Sequence, residues 1–356
     1  MNYTGTWLLW LALALGLPRP IDSQTSPKVS ANARLDGTFL QLLEEHGRRT
    51  EAQWRQLFES LKSIGIRNLI VQWSVADDLA FYDSKTFHTV NNVPLGTVLK
   101  MADAVGMQVL VGLVHDSGYW TRIQKDPDSI ASYLAQLRSK SLTAAREMAP
   151  LLRGHSCMRG WYISQEVDDI NWRSKETRNI LLAHVAGLTG ELRQLMPKSI
   201  IAISAFSQAQ SSPDAFGRFW DEFFQHTSID AVLFQDGVGV NKLGLNDVPV
   251  YLEAIRGASD KNHRCLWVVV ELLRQTAGPP LNQSAFSAVP GSMDRIVCQI
   301  AIASKYSSGE IVGFSVPEYM TPLGGEAANK LFEEYHAWIT AGAAQSCRQN
   351  VLSPEH

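Results

Sequence analysis

Short apolar runs recur along the chain, and each is followed by a polar loop and then by a longer amphipathic segment. One such segment places Trp54, Leu57, Phe58 and Leu61 at helical spacing, which gives it one apolar face. Strands that alternate with helices are typical of parallel βαβ units. The predicted strands are Thr38–Leu42, Asn68–Val75, Gln108–Val114, Gly160–Ser164, Ile200–Phe206, Ala231–Phe234, Leu266–Val270 and Ile311–Val316.

The number of these units favours a closed barrel. An open doubly wound sheet usually carries fewer strands, and a nucleotide-binding sheet would show a glycine-rich first turn that this sequence lacks. No linker rich in proline or serine divides the patterned region. The sequence therefore predicts one α/β domain, a single (β/α)₈ TIM barrel over residues 35–340. Residues 126–158 are long for one connection, which predicts an additional helix over the mouth or side of the barrel.

The two ends of the chain follow a different pattern. The apolar stretch Trp7–Leu17 is too short to span a bilayer and has the length of the hydrophobic region of a signal peptide. We expect residues 1–23 to be a signal peptide, residues 24–34 a polar leader and residues 341–356 a C-terminal tail. The alternative for the apolar stretch Trp7–Leu17 is a buried N-terminal helix. A signal peptide predicts a secreted or periplasmic protein.

Composition and charge narrow the class of partner. The 356 residues are 45% hydrophobic and 19% charged, as is usual for a globular enzyme. The net charge is −3, and lysine and arginine are scattered, which disfavours nucleic acid and anionic membranes as partners. No later run is long and apolar enough to predict a membrane span. The composition leaves the oligomeric state open.

The four cysteines of the chain are candidates for disulfide bonds in an oxidising compartment and for metal ligands. Cys157, Cys265, Cys298 and Cys347 can form up to two disulfides, with three alternative pairings, or remain as buried free thiols. None lies in a CxxC motif, and the sequence shows no Cys/His cluster around them. We therefore predict no zinc site and no cofactor.

Catalytic groups of a (β/α)₈ barrel come from the carboxyl ends of its strands. Glu166 ends the fourth predicted strand, and Glu271 ends the seventh. Retaining glycosidases use one carboxyl group to protonate the leaving oxygen and another, about 5–5.5 Å away, to attack the anomeric carbon. These strands face each other obliquely, so the separation is attainable. We predict Glu166 as general acid/base and Glu271 as nucleophile, kept ionised by Arg274 or by an amide such as Gln235. The alternative for either glutamate alone is a buried carboxylate paired with an arginine.

The other strand ends supply amides, carboxylates and aromatic rings, a mixture that suits a carbohydrate. Asp236 is expected to bind a sugar hydroxyl or to tune Glu271; the alternative is a turn residue before Gly237. For the aromatic candidates Trp73, Tyr119 and Trp120, the alternative is ordinary loop packing. The predicted substrate-binding residues are Gln41, Gln72, Trp73, Asp116, Tyr119, Trp120, Gln165, Gln235, Asp236, Glu318 and Tyr319.

Two other kinds of site, a metal site and a serine nucleophile, are disfavoured, and three aromatic residues are expected to be structural. His115 and Asp116 could bind a metal, but barrel metallohydrolases commonly present His-x-His on the first strand, which is absent here. Ser204 and Ser315 lack a paired histidine, which disfavours a serine hydrolase. Large aromatic residues within the strands are expected to pack in the barrel; they are Trp161, Tyr162 and Trp267.

Four ordered segments carry a family resemblance: Gly37–Gln41, Ile70–Trp73, Gly160–Ile163 with the following Glu166, and Gln235–Gly239. Over about residues 34–340 the chain resembles an uncharacterised family of secreted glycosidase-like barrels, a domain of unknown function found mainly in bacteria. Glutamates ending strands four and seven are similar to those of clan A glycoside hydrolases. The chain departs from clan A at Gln165, where an asparagine usually binds the sugar 2-hydroxyl; glutamine can make the same bonds from a longer stem.

These residues together predict a retaining glycoside hydrolase that acts on a polysaccharide or glycan without a cofactor. One alternative is a barrel that binds glycan without cleaving it, as part of export or cell-surface machinery. A second alternative is a metal-dependent barrel hydrolase.

Overall fold

A computed structural model describes residues 33–343 and Cys347, in which eight parallel strands close into a barrel. Each strand pairs with the next along the chain, and the first also pairs with the last. This confirms the predicted (β/α)₈ architecture. The predicted signal peptide lies outside the described residues, as do nearly all of the leader and tail. The barrel strands are β1 Gly37–Leu40, β2 Asn68–Val71, β3 Gln108–Gly112, β4 Met158–Val167, β5 Ile200–Ala205, β6 Ala231–Gln235, β7 Cys265–Glu271 and β8 Ile311–Phe314.

The helices surround the barrel. Residues 126–158, predicted to hold an additional helix, instead contain one continuous helix of 27 residues, Pro127–Arg153, which packs on the next helix in the chain. Asp126 caps its first turn by accepting a hydrogen bond from Ser129 N at 2.9 Å. The helices are α1 Glu51–Ser63, α2 Pro94–Val105, α3 Tyr119–Arg122, α4 Pro127–Arg153, α5 Lys175–Leu195, α6 Pro213–His226, α7 Val248–Lys261, α8 Met293–Tyr306, α9 Val316–Tyr319 and α10 Glu326–Thr340. Short 3₁₀ helices span Glu44–Arg48 and Pro322–Gly324. No helix of this described region is long and apolar enough to cross a membrane.

Two hydrophobic layers hold the barrel together. Alternate strand residues point inward, and Tyr162 and Trp267 belong to this inner cluster. Trp161 points outward into the larger layer between strands and helices. All three aromatic residues are buried, as predicted for packing residues. The filled interior leaves the carboxyl ends of the strands as the surface on which a site can be built.

Small sheets lie beyond the barrel strands. Val75–Ala76 pairs with Val114–His115, and this ladder continues through Leu79–Ala80 to His88–Thr89. The predicted second and third strands extended too far because Val75 and Val114 are apolar yet belong to this separate sheet. After β7, Leu273–Ala277 forms an antiparallel hairpin with Ser287–Pro290.

One disulfide joins Cys298 on α8 to Cys347 in the tail, across a sequence separation of 49 residues. Cys157 is a buried free thiol, and Cys265 is an exposed one. The chain therefore uses one of the two disulfides that its four cysteines could form.

Removal of this disulfide is expected to lower the free energy of unfolding by up to about 4 kcal/mol, because a closed loop of this length restricts the unfolded chain. Denaturant unfolding of Cys347→Ala with and without a reductant measures the effect. The reductant should destabilise the wild type and leave Cys347→Ala unchanged, whereas Cys265→Ser, which removes an unpaired thiol, should respond like the wild type. Equal stability of oxidised and reduced wild type would contradict the prediction.

Candidate active site

Glu166 lies near the carboxyl end of β4, where the strand is irregular. The register with β5 shifts between Ile163 and Glu166, and Glu166 then pairs with Ser204. Such a bulge changes the direction in which a side chain points, and bulges are common beside active sites. Gln235 at the end of β6 donates a hydrogen bond from Nε2 to Glu166 Oε1 at 2.6 Å. The half-buried Glu166 side chain lines two neighbouring pockets.

Glu271 is the last residue of β7 and is only 4% exposed. It follows Trp267 and Val269 at alternate positions, and both of these point into the barrel. The backbone N–H of Val240 donates to Glu271 Oε2 at 3.0 Å. Burial and, next, the negative charge of Asp236 raise the pKa of Glu271 to about 7. The carboxyl group therefore changes charge near neutral pH.

The loop after β6 reaches Glu271 because it contains glycine. A Cβ atom at Gly239 would overlap the carbonyl oxygen of Leu273 and lie 2.9 Å from Glu271 Cβ. Gly239 also accepts a hydrogen bond from Gln275 N at 2.8 Å, which ties the loop to the hairpin after β7. Only a residue without a side chain allows this approach, so Gly239 helps to place Val240 N against the carboxylate.

Asp236 lies behind Glu271 and is 2% exposed. Its carboxylate accepts hydrogen bonds from Gln299 Nε2 at 2.6 Å and from the backbone N–H groups of Val238 and Glu271. Burial raises the pKa of Asp236 to about 6. Both carboxylate oxygens accept hydrogen bonds from protein donors. The charge of Asp236 raises the pKa of Glu271, as the tuning role requires, and both that role and the contact with a sugar hydroxyl stay predictions.

The first pocket beside Glu166, which we call the amide pocket, has a volume of about 220 Å³. Its lining includes many of the predicted residues: Gln41, Gln72, Trp73, Asp116, Tyr119, Trp120 and Gln165, with His115 and Ser164. Gln41 Nε2 donates to Gln72 Oε1 at 2.8 Å, and Gln165 Nε2 donates to Val114 O at 2.7 Å. Within the described chain, Gln165 Oε1 is buried and accepts no hydrogen bond. This oxygen can accept a hydrogen bond from a ligand hydroxyl.

The second pocket, which we call the lysine pocket, has a volume of about 290 Å³. Trp120, which is 37% exposed, and Glu166 line both pockets. A ligand that spans both pockets would therefore pass these two side chains. The other residues of the lysine pocket are Gln124, Asp168, Ile170, Asn171, Phe206, Gln208 and Lys242.

Two of the aromatic residues predicted to bind a sugar, Tyr119 and Trp73, are buried and contact other parts of the protein. Tyr119 is 5% exposed, and its hydroxyl donates to the backbone oxygen of Glu166 at 2.9 Å. Trp73 is buried and donates from Nε1 to Leu42 O at 2.7 Å, and its ring stacks on His115 at 4.7 Å. These residues shape the amide pocket, whereas Trp120 presents the more accessible ring.

Three further candidates, Asp116, Glu318 and Tyr319, have partners or surroundings of their own within the protein. Asp116 accepts a hydrogen bond from Gly118 N and forms an ion pair with Arg122 at 3.4 Å. Glu318 accepts a hydrogen bond from Ser315 Oγ, and burial raises its pKa. Burial raises the pKa of Tyr319, and the charges of Glu318 and Glu271 raise it further.

The predicted partners of Glu271 are corrected. Gln235 bonds Glu166 instead, because its side chain points across the inside of the barrel toward β4. Arg274 alternates with buried neighbours on its strand and lies exposed, lining a separate groove with Lys330. The positive charges that favour ionised Glu271 come from Lys242 and Arg295. Arg295 also donates to the backbone oxygen of Glu271 at 3.2 Å.

Two side chains that line the pockets, His115 and Lys242, are absent from the predicted site residues. His115, for which the sequence suggests only a disfavoured metal site, lines the amide pocket, and burial lowers its pKa. Lys242 is absent from the predicted site because it lies beyond the first residues of the loop after β6. The signal for it in the sequence is its place in that same loop, seven residues after Gln235.

A Cys/His cluster does occur, contrary to the sequence-based expectation, at the amino-terminal end of β4. Asp103, His155 and Cys157 bring potential ligand atoms within 4.8 Å of one another. Asp103 binds His155 Nδ1 at 2.6 Å and accepts from Cys157 N at 2.7 Å. These bonds join the end of α2 to the turn before β4. His155 and Cys157 are only two residues apart in the sequence, but the third group, Asp103, is distant in the chain, so the sequence pattern does not indicate a three-residue cluster.

Comparisons with known proteins extend these observations. A family model described as "Domain of unknown function (DUF4434)" matches residues 35–324. The uncharacterized protein YbcH of Escherichia coli (strain K12) is 30% identical over 207 residues, which cover 58% of this chain. The match covers 66% of YbcH, slightly less than two thirds of its length.

Solved structures of glycoside hydrolases share the fold. A "putative alpha-L-fucosidase" from Bacteroides thetaiotaomicron aligns with a TM-score of 0.72 at 18% identity, covering 91% of this chain and 99% of that one. The endo-beta-1,4-mannanase from Thermotoga petrophila aligns with a TM-score of 0.53 at 11% identity, covering 87% and 77%. The beta-galactosidase from Marinomonas ef1 aligns with a TM-score of 0.56 at 11% identity, covering 85% and 59%. At these identities the likeness is one of fold.

Proposed function

Since the chain belongs to the DUF4434 family, whose name assigns no activity, we propose its function from the site itself. We propose a retaining glycoside hydrolase that acts on a polysaccharide or glycan. Glu271 is the nucleophile, Glu166 is the general acid/base, and no cofactor takes part.

The observation that carries the proposal is the position of Glu166 between two pockets, with Glu271 at the end of β7. Gln235 on β6, one of the two strands between β4 and β7, bonds Glu166, and it lies beside Val269, two residues before Glu271. A chain of sugars lying across Trp120 would bring the bond between two units to Glu166. The buried Gln165 Oε1 supports a carbohydrate, because it needs a donor such as a hydroxyl group.

The chemistry then follows two steps. Ionised Glu271 attacks the anomeric carbon while Glu166 gives its proton to the departing oxygen, which leaves a glycosyl ester on Glu271. Glu166, now ionised, removes a proton from water, and this water displaces Glu271 from the anomeric carbon. Two inversions give net retention. The hydrogen bond from Gln235 holds the Glu166 carboxyl group in place for both proton transfers.

A polysaccharide panel read by reducing-end release, followed by proton NMR of the first product, tests the proposal. The initial product should have the anomeric configuration of the substrate. A mechanism-based fluoro-sugar matched to that substrate should then form an ester on Glu271, identified by peptide mass spectrometry. An inverted first product, or a label on another residue, would contradict the assignment.

A glycan-binding barrel without hydrolysis is the second candidate. The observation in its favour is the environment of Glu271, whose burial and raised pKa disfavour the ionised nucleophile near pH 7. Binding of oligosaccharides at this mouth without hydrolysis at any pH from 5 to 9, and without labelling of Glu271, would establish this candidate over the hydrolase.

We further propose that the protein acts outside the cytoplasm, secreted or periplasmic. The Trp7–Leu17 stretch supports this, and so does the Cys298–Cys347 disulfide, because disulfides persist in oxidising compartments. N-terminal sequencing of exported protein should find residues 1 to about 23 removed. A mature chain that starts at Met1 or Asn2 would contradict the signal peptide.

Asp236→Asn should move the acidic limb of the kcat/KM profile to lower pH by about one unit. Glu271 must be ionised to attack, so the wild-type rate falls as pH drops through its pKa of about 7. Removal of the neighbouring negative charge lowers that pKa. Gln299 Oε1, which accepts no hydrogen bond in the described structure, can accept from the new amide if the Gln299 side chain turns.

Asp168→Asn is the matched control for this pH shift. Asp168 is also buried with a raised pKa, but it belongs to the lysine pocket. Its neutralisation should leave the acidic limb in place. An unmoved limb in Asp236→Asn, or equal shifts in both variants, would contradict the tuning role.

A further inference from the structure

The ammonium group of Lys242 contacts an aromatic ring and, in the described structure, pairs with no carboxylate. Its Nζ lies 3.4 Å from the centroid of the Phe206 ring, a cation–π contact. Among the described residues, this ammonium group forms no ion pair and donates no hydrogen bond. A lysine that rests on a buried ring gives up part of its hydration, and its three N–H donors remain available to a ligand.

The carboxylates near Lys242 already have other partners. Glu166 Oε1 accepts from Gln235, and Asp168 accepts from the side chain of Asn171 at 2.6 Å and from backbone N–H groups. The charge of Lys242 also favours ionised Glu271, but Glu271 accepts its hydrogen bond from Val240 N, and Lys242 forms an ion pair with none of these three carboxylates.

The position of Lys242 is also defined by the backbone. Its N–H donates to Gly237 O at 2.8 Å, in the same glycine-containing loop that brings Val240 to Glu271. The loop thus presents a positive charge in the pocket next to Glu166, beside the exposed ring of Trp120. A neutral sugar needs only dipolar donors such as Gln208, whereas a free ammonium adds specificity for negative charge.

We propose that the lysine pocket binds a sugar unit that carries an anionic group, a carboxylate or a sulfate, which pairs with Lys242. The inference rests on the proposed function and names the substrate class of the same site. The anionic unit stacks beside Trp120, and the unit in the amide pocket places its hydroxyls on the glutamine side chains.

Binding rather than turnover tests the inference, because the charge of Lys242 also acts on Glu271. The probes are oligogalacturonates with their carboxyl-reduced neutral forms, and chondroitin sulfate oligosaccharides with their desulfated forms. Calorimetric titration at pH 8 should show at least one anionic probe binding about tenfold more tightly than its neutral form. The preference should weaken in 300 mM NaCl. A preference within the oligogalacturonate pair would identify the anionic group as a carboxylate, and a preference within the chondroitin sulfate pair would identify it as a sulfate.

Lys242→Met, which keeps an apolar stem over Phe206, should remove the preference and leave affinity for neutral probes nearly unchanged. Lys242→Arg should retain it, and matching melting curves would show that both variants fold. Equal wild-type affinity for charged and neutral probes, or a preference that survives in Lys242→Met, would overturn the inference.

The two proposals fail in different ways. Retaining hydrolysis of neutral glycans with no anionic preference would contradict this inference alone. Anionic binding that depends on Lys242 without any hydrolysis would contradict the hydrolase and support the inference. Absence of both binding and hydrolysis across all probes would contradict both.

Discussion

Glu271→Ala is expected to reduce kcat/KM by about 10²–10⁴-fold on every glycoside the enzyme cleaves. The variant lacks the group that forms the glycosyl ester, so activated and unactivated substrates should suffer alike. Added azide can occupy the space left by the side chain and attack the anomeric carbon directly. The product should be a glycosyl azide of inverted configuration, which proton NMR identifies.

Glu271→Gln is the control that separates lost chemistry from lost folding. Glutamine keeps an acceptor for Val240 N but carries no charge. Because the folded-state pKa of Glu271 is raised, its contribution to stability is fully present below the unfolded value and is lost as pH rises through about 7. Glu271→Gln should therefore be inactive yet more stable than the wild type at pH 8, by on the order of 1–3 kcal/mol. A variant that keeps wild-type activity would show that Glu271 is not the nucleophile.

Glu166→Ala should lose about 10²–10⁴-fold on substrates with poor leaving groups and far less on activated aryl glycosides. A poor leaving group needs the proton that Glu166 supplies, whereas an activated phenolate departs without it. Azide should rescue this variant with retained configuration, because it attacks the glycosyl ester on Glu271 without a general base. The measurement is kcat/KM against leaving-group pKa.

Glu166→Gln is the matched variant, since its amide oxygen can still accept the hydrogen bond from Gln235. Glu166→Gln should show the same dependence on the leaving group as Glu166→Ala, because glutamine cannot donate the acidic proton although it keeps the size and shape of the glutamate side chain. Binding of an unreactive oligosaccharide should stay nearly unchanged in both variants. A loss of equal size for all leaving groups would indicate a structural role for Glu166 instead.

The barrel could be predicted from the sequence because every strand is a short apolar run followed by a helix with one apolar face. The placement of Glu271 followed from the same pattern, since Trp267 and Val269 alternate with it along β7. Glu166 was also placed at a strand end, but the bulge before it was not predicted. A bulge depends on how β5 pairs with β4, which the apolar pattern of β4 alone does not encode.

Side-chain partners were harder to predict than strand ends. Gln235 and Asp236 are adjacent in sequence, yet they point to opposite sides of β6, so one bonds Glu166 and the other bonds α8. This alternation was visible in the sequence and would have separated their roles. The contact between Lys242 and Phe206 was not visible, because it joins the loops after two different strands.

The disulfide lies on the helix that supports the nucleophile. Cys298 stands between Arg295, which donates to the backbone oxygen of Glu271, and Gln299, which donates to Asp236. Formation of the disulfide attaches the tail to this turn of α8. The same turn holds Arg295 and Gln299, so the disulfide also restrains the residues that contact Glu271 and Asp236. Under the proposed function, reduction of the Cys298–Cys347 bond is therefore expected to disturb the position of Glu271 as well as to destabilise the fold.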